Sequence, residues 1–124
     1  MAKQYAKTHE WVDIQDDGTA LLGLSQFACQ ELGDIVFLNP GEVGQELRAD
    51  DAFGEVESVK SVSDLIAPFD ARIAEVNQAL VEAPEQLGEK PEAPENWIVR
   101  LENFAAVEGL MDAEAYRAFV ETEA

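Results

Sequence analysis

One cysteine, one histidine and eight lysines and arginines are all that these 124 residues contain of the side chains that most often build metal sites, nucleophile–base pairs or phosphate-binding surfaces. The lone Cys29 excludes a disulfide within the chain and fits a reducing compartment. It reads as a small apolar residue of a helix. The lone His9 has no cysteine near it in sequence, and no glycine-rich loop precedes a helix. With no catalytic set to assemble, the chain reads as a non-catalytic carrier or binding module. The shortage of basic residues removes any patch able to neutralise phosphates, which excludes nucleic acid and, by the same argument, an anionic membrane. No apolar run is long enough to span a bilayer. The start, Met1-Ala2-Lys3-Gln4-Tyr5, shows no export or organelle signal, so a bacterial or archaeal cytoplasm is expected.

Acid is abundant. Twenty-six carboxylates against eight bases give a net charge of −18. Such self-repulsion opposes compaction at low ionic strength, which points to a saline environment or to steering toward basic partners. With 47% hydrophobic residues, the length suits one domain, residues 1–124, with its own core. A monomer is expected.

Local signals place most elements. Glu10–Ile14 and Ala20–Leu24 are strand-like runs joined across Asp17-Gly18, a hairpin signal. Ser25 can cap a short helix over residues 25–32, with Phe27, Glu31 and Leu32 at helical spacing and Gly33 as its stop. Asp34–Leu38 is a compact strand ended by Asn39-Pro40-Gly41, and residues 42–73 alternate strand and turn. Glu42–Leu47 and Glu75–Leu80 suggest a weak internal repeat. Residues 82–96 are rich in Pro and Glu and predict a surface excursion with one helical turn near Glu85–Leu87. Trp97–Leu101 is a last strand. A helix near 112–121 follows, capped by Asp112, its stripe of Tyr116, Phe119 and Val120 predicted to dock on the strands.

Lys60 stands out against this background. It is the only lysine between Lys7 and Lys90, set in Glu57-Ser58-Val59-Lys60-Ser61-Val62-Ser63-Asp64. The ordinary reading is a solvated turn lysine paired with Glu57 or Asp64. Against it, Val59 and Val62 would leave apolar surface at a turn tip, which suits a partner. A lysine presented on a tight hairpin is an accessible target for acylation.

Thr8-His9-Glu10-Trp11, Leu32–Phe37, Phe53–Asp64, Val76–Leu80 and Leu110–Tyr116 together resemble the glycine cleavage H-protein family, over nearly the whole chain. The resemblance implies a mainly β fold with helices, a lipoyl/biotinyl-carrier barrel-sandwich hybrid of two small antiparallel sheets. It implies lipoic acid in amide linkage to Lys60, attached by a lipoate ligase or lipoyl transferase that recognises Glu57, Ser58, Val59 and Asp64. The arm would shuttle an aminomethyl group between glycine decarboxylase and an aminomethyltransferase, with reoxidation by dihydrolipoyl dehydrogenase. When loaded it would fold back into a cleft at Thr8, His9, Glu10 and Asp64, where carboxylates can hold a protonated amine. For His9 alone a structural hydrogen bond is the plainer reading.

The chain departs from the family pattern at several turns. Phe69-Asp70-Ala71 follows Pro68, Asp50 stands where a glycine is usual, and the approach to Trp97 lacks the usual Tyr and Gly. A related reading stays open on these grounds: a lipoate-binding protein carrying sulfur or reducing equivalents in cytoplasmic sulfur oxidation, with a heterodisulfide-reductase-like complex. An unmodified binding domain is disfavoured by the intact segment around Lys60. A biotin carrier is disfavoured by the absence of flanking methionines.

Overall fold

The structure, a computed structural model, describes residues 3–105, 107 and 109–123. Met1 and Ala2, at the start of the N-terminus read as free of a targeting signal, lie outside the described residues. Strand β1 (Gln4–Tyr5) leads into the hairpin of β2 (Glu10–Ile14) and β3 (Ala20–Leu24), with Glu10 opposite Leu24 and Ile14 opposite Ala20. Its turn follows the Asp-Gly signal: Gly18 takes φ +87°, and the Asp17 carboxylate accepts from the Thr19 N–H at 3.0 Å. Helix α1 (Gln26–Leu32) begins where expected, with Ser25 Oγ accepting from the Ala28 N–H at 3.2 Å. It ends at Gly33, φ +84°, a conformation that glycine adopts without steric cost.

From there the chain alternates between two antiparallel sheets. One has three strands in the order β4 (Ile35–Asn39), β6 (Ala52–Ser58), β7 (Val62–Ile66). The other has six, in the order β1-β2-β3-β9-β8-β5, where β5 is Glu46–Leu47, β8 is Ala71–Val76 and β9 is Val99–Glu102. The two sheets predicted from the family pattern are present, though unequal in size and not closed into a barrel. Their apolar faces share one cluster: Leu38, Val56 and Leu65 from the smaller sheet meet Leu22, Ile73 and Leu101 from the larger. Each such side chain is fully buried, contributing roughly 1.5–3 kcal/mol by removal from water.

Helix α4 (Ala113–Glu123) is capped by Asp112, whose carboxylate accepts from the Ala115 N–H at 2.8 Å. Its Tyr116, Phe119 and Val120 pack with Tyr5 and Trp11 in a second cluster, the docking predicted from the stripe.

Three expectations need correction. The two segments of the suggested repeat adopt different structures. Glu42–Leu47 is a loop entering β5, whereas Glu75–Leu80 ends β8 and begins helix α2 (Gln78–Glu82), which sequence reasoning missed. Residues 82–96 are not a simple surface excursion: helix α3 (Glu85–Glu89) buries Leu87, and Pro91 and Asn96 are buried as well. The cause lies in two buried polar side chains, one distant in sequence and one within the segment. Trp11 Nε1 donates to the Pro91 carbonyl at 2.9 Å, and Asn96 Nδ2 donates to the carbonyls of Gln86 (3.2 Å) and Lys90 (2.9 Å). Buried donors and acceptors need partners, so the segment folds inward to satisfy them. The last strand, expected from Trp97, starts at Val99.

Candidate functional site

Lys60 sits at the tip of the β6–β7 hairpin, in the four residues between Glu57 and Val62, which pair across the ladder. Ser58 organises this tip. The Ser58 N–H donates to the Ser61 carbonyl at 2.8 Å, and Ser58 Oγ accepts from the Ser61 N–H at 3.1 Å and the Lys60 N–H at 3.3 Å. The Val59 N–H donates to the Asp34 carbonyl at 3.1 Å, which ties the tip to the start of β4. A backbone fixed on both sides thus carries an exposed lysine. Its Cε lies 3.6 Å from the position a Cβ would take at Gly33, so the stem crosses the end of α1. Among the described residues Lys60 takes part in no ion pair, although Glu57 and Asp64 were the partners expected of an ordinary turn lysine.

The surface around the tip is apolar as expected. Val59 is 71% exposed and Val62 58%. The sheet register adds a residue that sequence reasoning missed: Phe37 pairs with Glu57, which pairs with Val62, so the three form one row on the same face. Phe37 is 46% exposed, as is its neighbour Val36 at 52%. No sign of it lies in the sequence: residues 35–38 are all apolar, and only the irregular register between Ile35 and Phe37 leaves Val36 and Phe37 both outward while Ile35 and Leu38 are buried.

A groove of about 300 Å3 opens beside the tip, lined by Thr8, His9, Leu24, Phe27, Ala28, Glu31, Leu32 and residues 61–64. Of the cleft residues expected, Thr8, His9 and Asp64 are brought together here. Glu10 lies underneath. It is fully buried, accepting from the Thr8 hydroxyl on one oxygen and from the Ile66 N–H at 3.2 Å on the other. Glu10 therefore links β2 of the larger sheet to β7 of the smaller, and the Thr8 hydroxyl joins its carboxyl to the groove wall. Burial pushes its carboxyl up to about 7, against the opposing pull of those two hydrogen bonds. The apolar wall supplied by α1 was not foreseen, although the spacing of Phe27 and Leu32 marked that face.

His9 fulfils the structural reading: its Nδ1 is 2.7 Å from the Tyr116 hydroxyl, and its backbone holds φ +77°. Cys29 is buried, with its thiol pushed up to about 12 by burial first and by the Glu92 carboxylate second. Among the described residues no group of histidine, cysteine and carboxylate side chains could hold a metal ion.

Comparison with known proteins agrees with this geometry. The family model described as "Glycine cleavage H-protein" matches residues 3–123. A probable glycine cleavage system H protein of Thermococcus gammatolerans is 44% identical over 121 residues, covering 95% of this chain and 89% of the relative. The glycine cleavage system H protein of Oceanobacillus iheyensis is 44% identical over 119 residues, covering 94% and 93%. The crystal structure of a glycine cleavage system H protein from Mycobacterium marinum superposes with a TM-score of 0.89 at 37% identity, covering 96% of each chain.

Proposed function

The chain belongs to the glycine cleavage H-protein family, and from that premise we propose that it is a non-catalytic carrier whose Lys60 bears lipoic acid in amide linkage. The observation that carries this reading is the presentation of Lys60: an exposed amine, without an ion pair among the described residues, on a hairpin tip whose backbone Ser58 fixes, beside a groove of about 300 Å3. The residues fit the group. Leu24, Phe27, Ala28 and Leu32 give the groove an apolar floor for a hydrocarbon stem, and Thr8, Glu31 and Asp64 place polar groups at its rim. When attached, lipoic acid supplies a dithiol–disulfide pair for transfer between partner active sites.

The chain's own residues do the rest. The hairpin presents the tethered group at high effective concentration to whichever partner docks. Asp64 and, through Thr8, Glu10 offer negative charge to a protonated amine brought into the groove, where charge-assisted hydrogen bonds hold it. Its arrival would favour the carboxylate of Glu10 over the acid. Val36, Phe37, Val59 and Val62 offer a partner an apolar contact beside Lys60, and the surrounding carboxylates suit a partner with a basic rim. Those partners are glycine decarboxylase, an aminomethyltransferase and dihydrolipoyl dehydrogenase, with a lipoate ligase or lipoyl transferase loading the lysine at Glu57, Ser58, Val59 and Asp64. The relatives' names favour glycine cleavage, and no observation favours the sulfur-oxidation alternative over it. No described helix is long and apolar enough to cross a membrane, and cytoplasmic residence in a saline cell fits the acidic surface.

Intact mass after incubation with lipoate, ATP and a lipoate ligase tests the reading. One added lipoyl group, lost in Lys60→Arg, is expected, and the product should support glycine–bicarbonate exchange by glycine decarboxylase. A folded sample that takes up no lipoate would refute the lysine assignment; a lipoylated sample inert in exchange would refute the pathway.

A further inference from the structure

The groove beside Lys60 is built from three separate pieces of chain: Thr8 and His9 before β2, Leu24 at the end of β3 with the face of α1 that follows it, and residues 61–64 at the start of β7. Two of these pieces meet at one hydroxyl that lies outside the groove. Tyr116, on α4, places its OH 2.7 Å from His9 Nδ1 and 2.7 Å from Ser25 Oγ. His9 is on the groove wall. Ser25 is the cap of α1, accepting from the Ala28 N–H, and Ala28 is itself a wall residue. The Ser25 N–H also donates to the His9 carbonyl at 2.9 Å, so wall and cap are joined through backbone as well.

A phenol has one proton to give and two lone pairs to accept with, so it can serve both neighbours at once, whichever of His9 and Ser25 donates to it. The ring is held independently of that hydroxyl. Tyr116 stacks on Tyr5 with centroids 4.4 Å apart and planes 9° from parallel, and Phe119 and Val120 anchor the same helix face. His9 needs such a brace, because φ +77° is unfavourable for a residue with a side chain.

We propose that Tyr116 is a positioning residue for the arm-binding groove: its hydroxyl fixes His9 and the cap of α1 relative to each other, and so sets the width between the two walls. This rests on the reading that a Lys60-linked arm occupies the groove. The C-terminal helix then has a role beyond covering the sheet, since docking it completes the receptor for the arm.

The test uses the full chain lipoylated at Lys60, reduced, and alkylated with 2-bromoethylamine, which leaves a stable thioether ending in an ammonium group. Backbone amide shifts are compared by 15N NMR with those of the unmodified protein. In the parent, shifts are expected at Thr8, Phe27, Leu32 and Ser63 as well as at the attachment turn, Val59–Ser61. In Tyr116→Phe, which keeps the ring stack, the groove shifts should fall at least twofold while the turn shifts persist. Val120→Ala weakens helix docking but spares the hydroxyl, and should retain the groove shifts. Parent-like groove shifts in Tyr116→Phe, or their equal loss in Val120→Ala, would overturn the proposal while leaving the arm reading intact. A parent with no groove shifts would overturn the arm reading, and this inference with it.

Discussion

Glu10 accepts two hydrogen bonds and still holds its proton to about pH 7, because complete burial outweighs them. The sign of its effect on stability follows from proton binding. In the unfolded chain the group ionises near 4.5, so between about pH 4.5 and 7 the folded state binds the extra proton. Its contribution is full below that window and declines as pH rises through it, by on the order of 3 kcal/mol in total. Glu10→Gln removes the titration and keeps an amide oxygen for one of the two donors. The stability difference between parent and variant, from urea melts at pH 5 and pH 8, should therefore shift in favour of the variant at the higher pH. Parallel stability curves would show that Glu10 ionises normally. Asp50 illustrates a second residue-scale point. It adopts φ +74° at the position where the family pattern has glycine, a conformation that costs an aspartate more than it would a glycine.

Among the elements, those legible in the sequence are the ones whose signals are local. The Asp17-Gly18 hairpin, α1 between Ser25 and Gly33, and the α4 stripe each depend on residues within a few positions of one another. Lys60 was legible for a different reason: in a chain so poor in bases, its isolation between two acids and two valines marked it out. In the segment around α3 the helical turn near Glu85–Leu87 was legible but its inward folding was not, because what folds it inward is the Trp11 indole, 80 residues from the carbonyl it meets, and the side chain of Asn96. The groove was half legible. Thr8, His9 and Asp64 came from the family pattern, whereas its apolar wall exists only once α1 is set against β7. Asn96→Ala tests the account of the α3 segment. It leaves the carbonyls of Gln86 and Lys90 without their donor, and should cost about 2 kcal/mol, read as a lower urea midpoint. An unchanged midpoint would mean that Leu87 and Pro91 alone hold the segment in place.

For the molecule as a whole, charge is the dominant feature. With a net −18 on 124 residues, and only two ion pairs recorded among the described residues, most carboxylates face water and one another. Added salt screens that repulsion, so the melting temperature should climb by roughly 5 °C between low and molar KCl. A flat or falling melting temperature would remove the case for a saline origin. The same field favours basic partners at the apolar row of Phe37 and Val62 beside Lys60. The bond from the Ile66 N–H to Glu10 has a consequence of another kind. A main-chain proton on the smaller sheet rests against a carboxyl rooted in the larger sheet that changes charge near neutrality. Ile66 is therefore a built-in indicator: its amide resonance reports, without any label, both the ionisation of that carboxyl and the closeness of the two sheets.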